Sequence, residues 1–342
     1  MSTTPHRVRI DLESIFRLTE LADYIIPFTV RAVCELGIAD HLAEGPRSVE
    51  RLADATGAHA PSLYRALRAL ACKQIFTETE PGTFALTPMA EFLRADHPLS
   101  LKDAYALIPA DVEAWANLGY SIRTGKPAFD YTHGCDYWHY MTAHPGEAAR
   151  FDRAQQAQTR LEVRVFLRAY DWSNVRTLVD VGGGNGAFLG ALLAREPRVR
   201  GVVFDQPQVV EHAQAVLSDL GVQDRCEIVG GDFFAHVPPG ADAYLLKRIL
   251  YGWHDAEAVK LLRAIRSAMR SDSKLLIIEP VDEPGGGSEI ASRFDLAMLV
   301  MKGSGARTRE HVSALCREAG LELTAVTPTL MFPVLEVKPL AV

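Results

Sequence analysis

The sequence predicts an α/β protein in two parts. A mainly helical, winged-helix-like domain over residues 1–105 precedes a second domain over 106–342, in which helices over 106–174 roof a pocket and are followed by a doubly wound, Rossmann-like sheet with an antiparallel C-terminal hairpin. Three observations carry this prediction. Apolar residues recur at helical spacing up to about residue 175, and beyond it short apolar runs alternate with helical stretches. The chain is also 342 residues long, 48% hydrophobic and 23% charged, which suits two packed domains and excludes a disordered, collagenous or disulfide-stapled chain.

Leu18, Leu21, Ala22, Ile25 and Ile26 open the helical pattern, and Ala32, Val33, Leu36 and Ile38 continue it. Ser48 can cap a short helix that Gly57 ends. Pro61 stands in the first turn of a second helix, whose apolar face is Leu63, Leu67 and Leu70. Ile75–Thr79 and Thr83–Thr87 flank Pro81-Gly82 and read as a β-hairpin. Helix, turn, helix and hairpin make the winged-helix pattern. Some winged helices read DNA, but this one offers only Arg65, Arg68 and Lys73 on its second helix. The chain carries 36 Lys+Arg against 43 Asp+Glu, a net charge of −7. Nucleic-acid affinity is largely electrostatic, so the expected role of this module is dimerisation, with no nucleic acid as partner.

Residues 101–170 read as helical, with a loop-like interruption at Thr124–Gly134. Phe129, Tyr131, His133, Tyr137, Trp138, His139 and Tyr140 crowd that region and suggest part of a ligand pocket. Strands are expected at Thr177–Val181, Val199–Phe204, Cys226–Val229, Ala243–Leu246, Leu275–Glu279, Leu321–Thr327 and Met331–Lys338. Helices fall between the first five, giving parallel pairing, and the last two form a hairpin around Pro328. Gly285–Ser288 reads as a short flexible loop. No targeting segment and no membrane-spanning apolar run is visible, and Cys34, Cys72, Cys135, Cys226 and Cys316 form no CxxC pair. The expectation is a reduced, cytoplasmic protein without disulfides, metal or membrane partner.

The strongest local signal is Asp180-Val-Gly-Gly-Gly-Asn-Gly186 after an apolar strand. Gly182, Gly184 and Ala187 satisfy a dinucleotide fingerprint, while Asp180, Gly182, Gly184 and Gly186 satisfy the loop that holds S-adenosylmethionine. Asp180 discriminates between them. A carboxylate there repels a pyrophosphate but accepts hydrogen bonds from an amino acid's ammonium. Asp205 can take both ribose hydroxyls at the end of the second strand. After the third strand, Asp232 can accept from an adenine amine and Phe233 can cover the ring.

At these residues the chain resembles the class I S-adenosylmethionine-dependent O-methyltransferases that carry an N-terminal winged-helix dimerisation domain. The resemblance runs from about Leu18 onward. Its motifs are Leu178–Gly186, Phe204-Asp-Gln-Pro207, Gly231-Asp-Phe-Phe234, Leu246-Lys-Arg-Ile-Leu250 followed by Trp253, Leu275–Pro280 and Arg307-Thr308. Arg123–Phe129 and Phe151–Ala154 also look like this family. It implies S-adenosylmethionine as cofactor, with Gln206, Lys247 and Trp253 joining the residues above as its contacts. It also implies a homodimer, and a small-molecule substrate that accepts methyl on a hydroxyl, of aromatic or polyketide type.

Methyl transfer from a sulfonium needs alignment and exclusion of water, and a phenol needs its proton removed. The family's usual base is a His, and that position is Tyr251 here; the Asp that follows it is Gly252. Of the supporting carboxylates Glu279 is retained and the other is Ala306. Three explanations stay open: His254 as base, on the side of Tyr251 if the stretch is helical; catalysis by proximity; or a fold that has left methyl transfer and uses the cofactor for other chemistry. Tyr251 itself can donate a hydrogen bond to the substrate. By resemblance the substrate wall is Tyr137, Trp138, Met141, Trp253, Phe294, Met298 and Met301, with Lys302 where the family often has a neutral polar residue.

Overall fold

A computed structural model describes residues 11–282 and 288–340, so positions 285–287 of the expected glycine loop lie outside the described residues. The chain divides into two compact units, Met1–Leu107 and Ile108–Val342.

The first unit runs α1 (Leu12–Ala22), α2 (Ile25–Glu35), α3 (Ile38–His41), β1 (Arg47–Ser48), α4 (Val49–Thr56), α5 (Ala60–Ala71), β2 (Phe76–Glu80) and β3 (Thr83–Leu86). The Ser48 hydroxyl accepts from the Arg51 amide at the start of α4, and Gly57 closes it in the left-handed region at φ +69°. β2 and β3 pair antiparallel, and β1 adds to β3. Leu52, Leu67, Leu70, Phe76 and Phe84 are fully buried between helices and hairpin. By contrast α1 buries no residue. Leu12, Ile15, Phe16, Leu18 and Leu21 are exposed along it, and Tyr24, Ile25 and Phe28 extend the apolar stripe into α2. Such a stripe is the mark of a surface meant to be covered.

The second unit opens with α6 (Pro109–Ala116), α7 (Leu118–Thr124), α8 (Ala128–His133), α9 (Tyr137–Ala143) and α10 (Pro145–Ala169). The expected loop at 124–134 is corrected by α8. Gly125 and Gly134, at φ +69° and +73°, each end a helix, and Phe129 anchors the turn between them at full burial. Two closely spaced glycines read as a loop in sequence, yet they bracket a helix.

The sheet strands are β4 (Thr177–Val181), β5 (Arg200–Asp205), β6 (Cys226–Gly230), β7 (Ala243–Lys247), β8 (Lys274–Ile278), β11 (Leu321–Thr327) and β12 (Val334–Pro339). The short β9 (Val281–Asp282) and β10 (Arg307–Thr308) pair separately. Between strands lie α11 (Ala187–Arg195), α12 (Pro207–Val210), α13 (Ala213–Asp219), α14 (Asp255–Ala268), α15 (Glu289–Lys302) and α16 (Arg309–Glu318). The sheet order is β11-β12-β8-β7-β4-β5-β6, parallel except for β12, which is antiparallel to both neighbours. β12 begins at Val334 rather than Met331. The Met331 amide donates to the Thr329 hydroxyl instead of the ladder, and Pro333 has no N–H to offer. Apolar cores cover both faces: Leu246, Leu262 and Ile277 on one, Leu189, Val203 and Ile278 on the other. Among the described residues no helix is long and apolar enough to cross a membrane.

Candidate active site

The parallel strands deliver their carboxyl ends to one rim, where ligands bind in open α/β sheets. Asp180 lies one residue before the end of β4 and is buried, with Oδ2 meeting no hydrogen-bond partner. Burial lifts its carboxyl to about 7; Lys247 pulls it down and Asp205 pushes it up. The chain then turns through the glycines. The Gly182 amide donates to the Phe204 carbonyl at 2.8 Å, and its φ of +76° is one that L side chains rarely adopt. A Cβ there would sit 2.5 Å from Ile249 Cδ1. Gly184 has open space where its Cβ would go, and its amide donates to Asp205 Oδ2 at 2.9 Å. Gly186 caps the start of α11.

Asp205 ends β5 and is held at both oxygens, since Oδ1 accepts from the Gln206 amide at 2.7 Å. Burial raises its carboxyl against the pull of these two amides. The Gln206 side chain is exposed and accepts from Gln208 at 2.6 Å. Asp232 is exposed just beyond β6, and its Oδ1 accepts from the Phe234 amide at 2.8 Å. Phe233 is half-buried and meets the Trp253 ring edge-on at 6.0 Å. This arrangement fits an adenosylated amino acid. It offers a buried, unpartnered carboxylate oxygen for an ammonium, bare backbone above Gly184, spare lone pairs on Asp205 for vicinal hydroxyls, and a ring face at Phe233.

Lys247 ends β7, and its ammonium sits 2.6 Å from Glu162 Oε2. Arg248 follows in the left-handed region at φ +57°, with Nε 3.3 Å from Glu162 Oε1 and a hydrogen bond to Gln158 at 2.8 Å; Gln155 is its other partner. Two cations hold the Glu162 carboxyl below the usual range despite full burial. Burial and the neighbouring guanidinium lower Lys247. Nothing in the sequence singled out Glu162, Gln155 or Gln158, which face inward from the long α10.

Arg248 leads into a tight 3-10 turn, Leu250–Gly252. Glu279, just past β8, is fully buried, and its Oε2 accepts from the Tyr251 amide at 2.9 Å while Oε1 has no partner. Burial pushes its carboxyl up to about 7. Tyr251 is 5% exposed, and burial pushes its hydroxyl up to about 12, so it keeps its proton at neutral pH. His254 does not share a helical face with Tyr251. The chain is extended at Trp253 and at His254, which is an exposed N-cap residue of α14 whose ring makes no capping hydrogen bond.

The aromatic and thioether residues separate into two groups. Tyr137, Met141 and Met301 are buried and pack with Phe129 and Val300 as core. Phe294 meets Phe332 edge-on at 5.1 Å and lies under the Arg248 guanidinium, while Met298 is half-buried one turn further along α15. Trp138 remains exposed, and the Lys302 ammonium stands 4.4 Å from its ring centroid and 5.5 Å from that of Trp253. A cleft of about 540 Å³ at the opposite, amino-terminal ends of the strands, lined by Thr177, Arg200, Cys226 and Gly240, holds none of these groups.

Comparison with known proteins places the chain in a family. Residues 115–322 match the model of an O-methyltransferase domain, and residues 19–96 that of an O-methyltransferase dimerisation domain. The chain is 38% identical to the phenazine O-methyltransferase PhzM of Lysobacter antibioticus, over 97% of each chain. The crystal structure of LaPhzM superposes with a TM-score of 0.90 at 38% identity, covering 97% of this chain and all of that one. The O-methyltransferase NcsB1 of neocarzinostatin biosynthesis, crystallised with S-adenosylhomocysteine and 1,4-dihydroxy-2-naphthoic acid, superposes at 0.78 with 34% identity, over 94% and 98% of the two chains.

Proposed function

Because this chain belongs to the O-methyltransferase family and is an S-adenosylmethionine-dependent methyltransferase, we propose that it methylates a hydroxyl of a polycyclic aromatic natural product and does so as a homodimer. The cofactor supplies a methyl already activated on a sulfonium. What remains for this chain is to bind, align and keep water out.

One observation carries the reading: Asp180 offers a buried, unpartnered oxygen at the start of the glycine turn, whose Gly184 amide Asp205 holds. In the proposed arrangement Asp180 receives the cofactor's ammonium, Asp205 the ribose and Asp232 with Phe233 the adenine. Gln206 lies beside the ribose, and Lys247 closes the strand-end rim. Trp253 divides the cofactor side from an acceptor side formed by Trp138, Met298, Phe294 and Lys302. Tyr137, Met141 and Met301 support that wall from behind. Tyr251 donates a hydrogen bond, and Glu279 fixes the turn that carries it. The similarity to a phenazine O-methyltransferase and to an enzyme crystallised with a dihydroxynaphthoic acid favours a flat, fused-ring acceptor. The apolar stripe of α1 and α2 supports the dimer.

The test is incubation of the purified protein with S-adenosylmethionine and a set of hydroxyphenazines and dihydroxynaphthoic acids. The expected result is a product one methyl heavier, formed in step with S-adenosylhomocysteine. Conversion of an acceptor without S-adenosylhomocysteine would mean that the cofactor serves another reaction.

A further inference from the structure

An O-methyltransferase acting on a phenol needs a proton acceptor, and the residues around position 251 do not supply one. Tyr251 holds its own proton, Glu279 is turned to the Tyr251 main chain, and His254 is exposed at the start of α14. An amine stands beside this turn instead. Lys302 is the last residue of α15, and a Cβ placed on Gly252 would lie 3.7 Å from its Nζ. That separation is ordinary van der Waals contact, so the nitrogen lies directly against the turn. Among the described residues the amine makes no hydrogen bond and no ion pair; its neighbours are the faces of Trp138 and Trp253.

We propose that the Lys302 amine is the catalytic base, taking the proton from the acceptor hydroxyl; this rests on the methyl-transfer reading above. The neutral nitrogen binds the hydroxyl proton, and the O–H electron pair stays on oxygen. That oxygen attacks the methyl carbon, and the C–S pair departs with sulfur. The resulting ammonium is received by two indole faces and by the carboxyl end of a helix, both of which favour a positive charge. It then returns its proton to solvent on the exposed side of Trp138.

Burial also brings the Lys302 amine down to about 8, so a working fraction is neutral under ordinary conditions. The titratable and charged groups on the elements packed against α15 are Asp111 and Glu113 on α6, Tyr120 and Arg123 on α7, Asp130, Tyr131 and His133 on α8, Tyr251 at the turn and Asp282 on β9, while Asp136, the N-cap residue of α9, is the group whose charge reaches the amine. Asp136 opposes the shift, as the indole faces and the helix end also do, and its Oδ1 is occupied by the Trp138 and His139 amides.

The experiment combines kinetics with a direct titration. Competitive acetylation read by mass spectrometry should show Lys302 titrating near 8, well below exposed lysines. With hydroxyphenazine or dihydroxynaphthoic acceptors, kcat/KM should rise with pH to a plateau above that midpoint. Lys302→Met should lose ~10²–10⁴-fold and the rising limb with it, while binding S-adenosylhomocysteine normally by calorimetry. Lys302→Arg should not restore the rate, because a guanidinium stays charged. Added ethylamine should partly rescue Lys302→Ala, and the loss should shrink with more acidic phenols. Retained rate in Lys302→Met, full rescue by Arg, or ordinary titration of Lys302 in an active enzyme overturns the proposal alone. S-adenosylhomocysteine binding without turnover of any phenol by the wild type overturns the methyl-transfer reading, and the base with it.

Discussion

Glu162→Gln tests the most heavily committed part of the site. The wild-type carboxylate is fully buried between Lys247, 12% exposed by side chain, and Arg248, 9% exposed. The amide keeps the shape and one acceptor but leaves two buried cations without an anion. Removing one partner of a buried pair costs about 3–5 kcal/mol. Lys247, already lowered by burial, can shed its proton and soften the loss, which places the variant near the lower figure. At roughly 2–4 °C per kcal/mol for a unit of this size, about 3 kcal/mol is a fall of about 6–12 °C in Tm. Calorimetric melting with and without S-adenosylhomocysteine measures it. The cofactor's stabilising increment should fall too, because Glu162 holds Lys247 at the strand end and Arg248 in its left-handed conformation. The pH dependence carries a sign. A carboxyl held below its ordinary range stabilises the fold above that range and loses the contribution as pH falls through the lowered value. The Tm gap between wild type and variant should therefore narrow in acid. An unchanged Tm and an unchanged cofactor increment would refute the argument.

Four further outcomes follow from the geometry. Asp180→Asn should weaken S-adenosylhomocysteine binding and flatten its pH dependence; in the wild type, affinity should increase as pH rises through about 7 and the carboxyl ionises, and calorimetry across pH reads both. Gly182→Ala should lower Tm by more than the ~1–2 kcal/mol of a left-handed alanine implies, because its Cβ meets Ile249; a milder loss would mean that Ile249 moves aside. Leu21→Glu, at a side chain 74% exposed, should give monomers in sedimentation while leaving the circular dichroism spectrum intact, and a persistent dimer would locate the interface elsewhere. His254→Ala should reduce turnover by less than ~10²-fold, short of the loss expected for a general base.

The glycine loop and its acids were legible in sequence because their chemistry ties residue type to backbone position. A left-handed turn asks for Gly182 and Gly186, and a strand end asks for Asp205. The winged module was legible for a similar reason, since Ser48, Gly57, Pro61 and Gly82 each mark a boundary. The helix Ala128–His133 was hidden because the glycines that end helices are also the residues of loops. Glu162 was hidden because burial of a charge depends on partners 85 residues away in sequence. Tyr137, Met141 and Met301 read as pocket or core alike, since both uses share the same helical spacing. The environment of Lys302 depends on Trp138, Gly252 and Trp253, which meet only after the chain has folded.

Glu279 grips the main chain at Tyr251 and not its side chain. The carboxylate therefore fixes where the turn lies while leaving open what the turn displays. Because this hydrogen bond involves no side-chain atom of residue 251, a change of that side chain leaves the donor in place. The path of the turn is thus secured by a buried carboxylate independently of the side chain that the turn carries.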